Sequence, residues 1–363
     1  MTHDSDCYLG SFATIVVGAG PAGVMAAIEA AAAGSVLLVD RASLPRNKSC
    51  GGMINEYAQR FLIAYGGVPR RLVLGPEHVN FRYVDWDRRI AKPTTLRFVN
   101  VDRAGFDDWL MSLLPDSVVV ADRHALDALG EREGRVYASF KTPSGTTLAE
   151  ADYLVGCDGA RSKTRRLLGV PSNATYVTLQ DSVNYDGGLE PYFDCIYLRN
   201  VGDEFGYAYV VPKGDRALVG SVFYPKTKRP WEKQDLVVGL LRERLPSLGE
   251  SLEREASVAL YVRSSKDVVS GRGRVLLAGE AGGFMSPSSG EGISYALNSG
   301  RQAGLAIATT PAAALDRYSA ATAHIRANIR HKLRWLPIME SRVGKYLAGH
   351  VPTAVVSRMT ERL

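Results

Sequence analysis

The chain has 363 residues, of which 46% are hydrophobic, 9% aromatic and 23% charged, enough apolar material for a large core in two domains or one domain with an insertion, and too much for disorder. A net charge of +6 and a pI of about 9.1 give a weak bias toward anionic ligands, but the basic residues alternate with 38 acidic ones and no nucleic-acid motif accompanies them. Four scattered cysteines without a Cys-x-x-Cys pair and six dispersed histidines give no reason to expect a disulfide framework or a bound metal.

The N-terminus, MTHDSDCYLG, lacks the basic and apolar regions of a signal sequence, and the most apolar run, Ala22 to Val39, is broken by Glu29, Gly34 and Ser35. A cytoplasmic protein without a membrane span is therefore expected.

Residues 13–40, ATIVVGAGPAGVMAAIEAAAAGSVLLVD, read as strand, glycine loop, helix, strand. Gly18, Gly20 and Gly23 stand in the order G-x-G-x-x-G around Pro21 and Ala22, and Asp40, with Arg41 beside it, follows the second strand at the distance where an acid binds a ribose diol. In this arrangement Gly18 permits the turn, Gly20 lets backbone approach a pyrophosphate, and Gly23 lets the helix pack on the strand. A dinucleotide is bound; whether it is NAD or FAD is left open by these residues.

Further along come RNKSCGG (46–52), RAGFDDWL (103–110) and CDGARSKTRR (157–166), the last after an apolar strand ADYLVG. Residues 176–264 alternate runs such as DCIYLR, GYAYVVP and RALVGSVFY with loops, the pattern of a half-buried antiparallel sheet. The strand RVLLAG then leads into residues 279–300, GEAGGFMSPSSGEGISYALNSG, with six glycines and a proline ahead of or within a helical run. Glycine gathers where backbone turns sharply or approaches a ligand closely, and a helix opened this way aims unpaired N–H groups at what the loop encloses. In the last stretch Leu315, Tyr318, Ile325, Ile329, Leu333 and Leu336 share one helical face, with Arg326, Arg330, Lys332 and Arg334 elsewhere. Such a helix packs on its own domain or rests on anionic lipid.

Taken in that order, these motifs resemble the flavoprotein hydroxylase superfamily (p-hydroxybenzoate hydroxylase-like), and the CGG after the second strand and PSSGEGISYALNSG resemble its geranylgeranyl reductase branch. The resemblance implies an α/β fold: a discontinuous Rossmann-like FAD-binding domain (12–75, 99–175, 265–325), an inserted β-rich substrate domain (76–98, 176–264) and a C-terminal helical segment (326–363). It implies FAD held by Gly18, Gly20, Pro21, Ala22, Gly23, Asp40, Arg41, Cys50, Gly51, Gly52, Arg103, Asp158, Gly159, Gly279, Glu280, Pro287, Gly290, Glu291, Gly292 and Ile293. Glu280 stands where the family usually has Asp and is one methylene longer. Residues 287–292 are expected along the flavin ring. Tyr207, Tyr209 and Pro212 match the branch's aromatic-x-Trp-x-aromatic-Pro signature in part, with Tyr209 in the Trp position and Val211 in an aromatic one, and are expected in the substrate pocket.

The function implied is FAD-dependent reduction of carbon–carbon double bonds in a hydrophobic, isoprenoid-type small molecule, with NAD(P)H or another donor as transient reductant and Cys50 as acid or pocket wall beside the flavin. The same scaffold also serves monooxygenases and, less well matched here, halogenases. A flavin carrier without catalysis is the alternative of a different class. Peripheral membrane contact through the C-terminal helix is retained as an expectation; nucleic acid is not expected as a partner.

Overall fold

The computed structural model describes residues 7–341 together with 343 and 344. The chain opens with β1 (Cys7–Val17), α1 (Pro21–Ala30) and β2 (Val36–Val39), then crosses through β3 (Met53–Asn55) and α2 (Glu56–Ile63) to the hairpin β4 (Val73–Asp85) and β5 (Ile90–Val101). It returns by α3 (Arg103–Met111) and β6 (Val118–Ala121) to a meander, β7 (Ala125–Arg132), β8 (Arg135–Thr142) and β9 (Gly145–Gly156), and on through α4 (Lys163–Leu167). A β-rich stretch follows: β10 (Ala174–Tyr185), β11 (Tyr192–Tyr197), β12 (Phe205–Lys213), β13 (Arg216–Phe223), α5 (Pro230–Arg242) and β14 (Leu248–Tyr261). The short strands β15 (Gly271–Arg272) and β16 (Val275–Leu277) lead into α6 (Ile293–Thr309), α7 (Ala314–Ala321) and α8 (Ala323–Glu340).

Among the described residues the strands form two eight-stranded sheets. In the first, β16, β9, β1, β2 and β6 lie side by side and parallel. Its apolar runs are buried on both faces, and the alternation of side chains sorts them. Val16, Leu38, Val155 and Leu276 face α1, α6, α7 and α8, whereas Ile15, Val17, Leu37, Leu154 and Val275 face the β7–β9 meander. The second sheet runs β14-β10-β13-β12-β11-β4-β5-β3. It is mostly antiparallel, as the alternating runs suggest, but β11 joins β4 in parallel, Tyr192 opposite Asn80. It also takes in β3, directly after the Cys-Gly-Gly turn, with Met53 opposite Asn100.

One face of this second sheet (Leu179, Ile196, Val210, Val219, Phe223) packs on α5 through Val237 and Leu241. The opposite face carries Phe81, Tyr83, Phe193, Cys195, Tyr207 and Tyr209. In a two-residue period, one change of register would exchange these faces, so the aromatic set is fixed on the side away from α5.

The C-terminal helix expected over 315–336 is divided at Thr322, whose hydroxyl bonds back to Tyr318 O at 2.8 Å and whose backbone leaves helical geometry, a competition with the helix ladder common for Thr. Its apolar face, Tyr318, Ile325, Ile329 and Leu336, is buried against the first sheet's core. Lys332, placed by periodicity on the other face, is buried too, at 3% exposure. The expected helical segment beyond 344 lies outside the described residues. Among the described residues no helix is long and apolar enough to cross a membrane.

Candidate active site

In the first glycine loop Gly18 and Gly23 sit where no side chain fits, and Gly20 where one would meet only Arg46 among the described residues. Gly18 has φ +104°, and a Cβ there would sit 2.5 Å from Cys157 O; one on Gly23 would sit 1.8 Å from Gly18 O. A side chain at Gly23 would push α1 off the loop, and one at Gly18 would strike the backbone at Cys157 and Asp158, where the chain leaves β9. A Cβ on Gly20 would instead meet the tip of Arg46, at 3.2 Å, and no other atom among the described residues within 4 Å. Gly20 caps α1 without a side-chain bond and Pro21 opens the helix, so the first-turn N–H groups of α1 face an open cradle.

Asp40 ends β2, buried, and its carboxylate accepts from Ala19 N at 2.8 Å and Ala42 N at 2.9 Å, with Arg46 Nε 3.5 Å away. Arg41 beside it is exposed. These residues fit the phosphates and ribose of a dinucleotide, and Arg46, from the segment before Cys50, adds a cation that the glycine motif does not disclose.

The CDGARSKTRR segment underpins the second glycine loop. Asp158 caps α4, accepting from Lys163 N at 2.7 Å and Thr164 N at 2.9 Å, Ser162 caps Arg165 N at 2.9 Å, and Gly159 takes φ +77°. Arg165 then reaches Ala281 O at 3.1 Å, inside that loop. Gly279 turns at φ +58° and donates to Ser299 Oγ at 2.9 Å. Glu280 uses its extra length to accept from Leu260 N at 2.8 Å and from Lys48 Nζ at 3.3 Å.

The turn at 286–292 closes through Ser286 N to Glu291 O, 2.9 Å, and Gly290 N to Ser286 O, 3.1 Å. Glu291 accepts from Ser294 N and Oγ at 2.8 and 2.7 Å, so Pro287, Gly290, Gly292 and Ile293 form the rim at the start of α6. Gly290 has φ +64°, and a Cβ on it would lie 3.6 Å from the Tyr207 hydroxyl. Behind the turn, the buried Lys332 donates to Ser286 Oγ at 3.2 Å and Tyr295 Oη at 3.0 Å. α1 and the middle of α6 cross in backbone contact: a Cβ on Gly300 would lie 2.0 Å from Ala22 O, and one on Gly304 2.5 Å from Ala26 O.

Opposite the 286–292 turn stand Cys50, Gly51 and Gly52. A Cβ on Gly51 would lie 3.3 Å from the Phe193 ring; Phe193 stacks on Tyr209 at 5.2 Å and on Phe81 at 5.7 Å. Tyr209 fills the space left by Gly220, where a Cβ would fall 2.0 Å from its Cζ, and donates to Gln180 Oε1 at 2.7 Å. Pro212 accepts from Asn100 Nδ2 at 2.9 Å.

Gly52, at φ +62°, donates its N–H to Cys50 Sγ at 3.5 Å. Arg103 is buried and held by Asp107 through two bonds of 2.7 and 3.0 Å. Burial pushes the Cys50 thiol up, but the Arg103 guanidinium, the Gly52 N–H and Lys48 outweigh it and hold the thiol below its ordinary value. Burial, with Cys195 for Tyr207 and Cys50 for Tyr209, pushes the hydroxyls of both up, so both phenols stay neutral. Lys213, which ends β12, projects onto the same turn, and its burial lowers it to about 7.

The structure thus brings Cys50, Gly51, Gly52, Arg103, Tyr207 and Tyr209 near one another, with Gly290 of the 286–292 turn against Tyr207, while Asp158 caps α4. Lys213 was not singled out by sequence, because a lysine after a strand-ending proline reads as solvated.

The family described as FAD binding domain matches residues 11–331. The protein CbrA of Shigella dysenteriae serotype 1 is 27% identical over 333 residues, covering 89% of this chain and 90% of CbrA. Among solved structures, a geranylgeranyl bacteriochlorophyll reductase-like protein from Thermoplasma acidophilum superposes with a TM-score of 0.77 at 19% identity, covering 98% of this chain and 92% of that one. A ternary complex of aklavinone-11 hydroxylase with FAD and aklavinone gives 0.72 at 18%, covering 96% and 72%. The two solved structures share the fold with this chain.

Proposed function

The chain belongs to the FAD-binding domain family, and from that premise we propose that it is an FAD-dependent reductase that saturates carbon–carbon double bonds of an apolar small molecule, with NAD(P)H as transient reductant. Gly18 to Gly23 and Asp40 would hold the pyrophosphate and ribose, Gly279 and Glu280 the ribityl chain, and residues 287–293 the ring. FAD, when bound and reduced, supplies hydride. The remaining tasks fall to the protein's own side chains.

The observation that carries this reading is the acidified thiol of Cys50, placed on a glycine turn between the 286–292 rim and an aromatic sheet face. Hydride transfer to an alkene leaves a carbanionic carbon that needs a proton, and a thiol moved toward neutrality is suited to give one. Arg103, fixed by Asp107, and the Gly52 N–H stabilise the thiolate left behind. Phe81, Phe193 and Tyr209 provide an apolar wall that orients the substrate and excludes water, which suits an apolar alkene better than a charged substrate.

Holoenzyme reduced anaerobically and mixed with a polyprenyl alkene tests this. Wild type should be reoxidised with formation of saturated product. Cys50→Ala should keep its FAD and its rate of flavin reduction while alkene-dependent reoxidation slows by about 100-fold or more, the scale of general acid catalysis; Cys50→Ser should recover little. Wild-type turnover by Cys50→Ala would remove the thiol from the mechanism. An enzyme that leaves alkenes untouched and incorporates oxygen into an aromatic substrate would be a hydroxylase instead.

A further inference from the structure

Lys213 is a buried lysine, 8% exposed, that donates to two backbone carbonyls: Val101 O of β5 at 2.9 Å and Gly52 O at 3.4 Å. A buried ammonium is costly unless charge of opposite sign stands near it. Two acidic groups reach it, Cys50 and Asp102. The Asp102 carboxylate is engaged in capping α3, where it accepts from Ala104 N at 3.2 Å and Gly105 N at 3.0 Å. Capping leaves the Asp102 carboxylate charged, so both groups act on Lys213; of the two, the Cys50 thiol is bonded to the same residue, accepting from Gly52 N at 3.5 Å while Lys213 donates to Gly52 O. Gly52 is fitted to this role, since a Cβ there would lie 2.7 Å from Lys213 Nζ and 2.3 Å from Val101 O; no other residue would let the ammonium lie on the turn.

We propose that Lys213 is a positioning residue for Cys50: it clips the Cys-Gly-Gly turn to β5 through Gly52 O and Val101 O, and adds its positive charge to those of Arg103 and Lys48 around the Cys50 thiol. Arg103, which also hydrogen-bonds the thiol, and Lys48 act on Cys50 directly and are each bonded to a carboxylate, Asp107 and Glu280, whereas Lys213 is held by the carbonyls of Gly52 and Val101. Tyr207 and Tyr209 complete the surroundings of the thiol and remain uncharged. Because burial brings Lys213 to about 7, its charge changes in the range where Cys50 must hold and release its proton, and the two groups titrate as a coupled pair. This deepens the proposed role of Cys50 and rests on it for its catalytic meaning, though the pairing itself can be read without any substrate.

The test is the rate of alkylation of Cys50 by iodoacetamide from pH 5 to 10 in FAD-loaded enzyme, followed at the Cys50 peptide by mass spectrometry so that Cys7, Cys157 and Cys195 do not contribute. Thiolate is the reactive form. In wild type the profile should be broad, with an inflection near pH 7 from Lys213 in addition to that of the thiol. Lys213→Met should give a single inflection at higher pH and about tenfold slower alkylation at pH 7, the loss expected if the thiol rises by one pKa unit. Lys213→Arg, which keeps a permanent charge, should keep rapid alkylation at pH 7 and lose the inflection near 7. A Lys213→Met profile superimposable on wild type overturns the proposal. Should Lys213→Met fail to retain FAD, Lys213→Arg decides: an unchanged inflection near 7 overturns it. A shifted alkylation profile alongside wild-type alkene turnover by Cys50→Ala would leave the pair standing and remove only the catalytic role of Cys50.

Discussion

Replacing Gly300 by Ala adds one methyl group where α6 crosses α1. That methyl would fall 2.0 Å from Ala22 O, 2.7 Å from Ala22 C and 2.8 Å from Ala22 Cα, all backbone atoms that no rotamer change can move. Ordinary contact begins at 3.4 Å, so the helices must part by about 1.4 Å, the difference between 3.4 and 2.0. Gly304 lies one turn further along and also leaves no room for a Cβ, which would sit 2.5 Å from Ala26 O, so the crossing opens as a unit.

Overpacking of this kind costs about 1–3 kcal/mol. At roughly 2–4 °C per kcal/mol for a chain of this size or somewhat smaller, Tm should fall by about 2–12 °C. Both helices begin at the cofactor cradle, so FAD affinity should fall as well, by about tenfold, the equivalent of 1.4 kcal/mol. Thermal unfolding by circular dichroism and FAD release on dilution by flavin fluorescence measure the two effects. Ala22→Gly in the Gly300→Ala background should not rescue either, because the obstructing atom is the Ala22 carbonyl. A Gly300→Ala protein with wild-type Tm and FAD affinity would refute the reasoning.

Gly20→Val should abolish FAD binding while the fold persists, since the space above Gly20 is bounded by an adjustable Arg46 side chain and a branched side chain would fill the cradle rather than break the core; stoichiometric FAD in that variant, by absorbance against protein content, contradicts the assignment of the loop. Lys213 also predicts a pH dependence of stability. Its folded pKa is about 7 and its unfolded one about 10.4, so between them the unfolded chain binds the additional proton and stability rises with pH, by up to about 1.4 kcal/mol per pH unit; the penalty is fully present below 7 and relieved by about 10. Urea titrations at pH 7 and 9 should show this rise in wild type and its loss in Lys213→Met, and equal rises in both would contradict it.

The first βαβ unit was legible in sequence because its determinants are local: an apolar run, three glycines at fixed spacing and an acid after the second strand. The second glycine loop was legible for the same reason. What escaped was carried by partners far apart in the chain. Gly300 reads as one small residue on a helix face, and its meaning lies in Ala22 O, which no spacing rule connects to it. Glu280 resolves through Leu260 N and Lys48, and Lys332 through Ser286 and Tyr295, none of them neighbours in sequence. Arg103 is the instructive exception, since its partner Asp107 lies four residues on within one helix, a pairing helical spacing allows but which an expected cofactor contact overshadowed. The Thr322 break went unseen because the apolar period runs through it.

The Cys-Gly-Gly turn leads without a gap into β3, the edge strand that pairs with β5, and Lys213 ties Gly52 to Val101 of that strand's partner. Cys50 is therefore anchored in the frame of the second sheet, although the sequence places it in the cofactor-binding half. If the two sheets shift relative to each other as a large substrate enters, the thiol travels with the wall that grips the substrate. Alignment of acid and alkene would then survive a displacement that alters the gap to the ring, leaving hydride distance as the quantity such a movement adjusts.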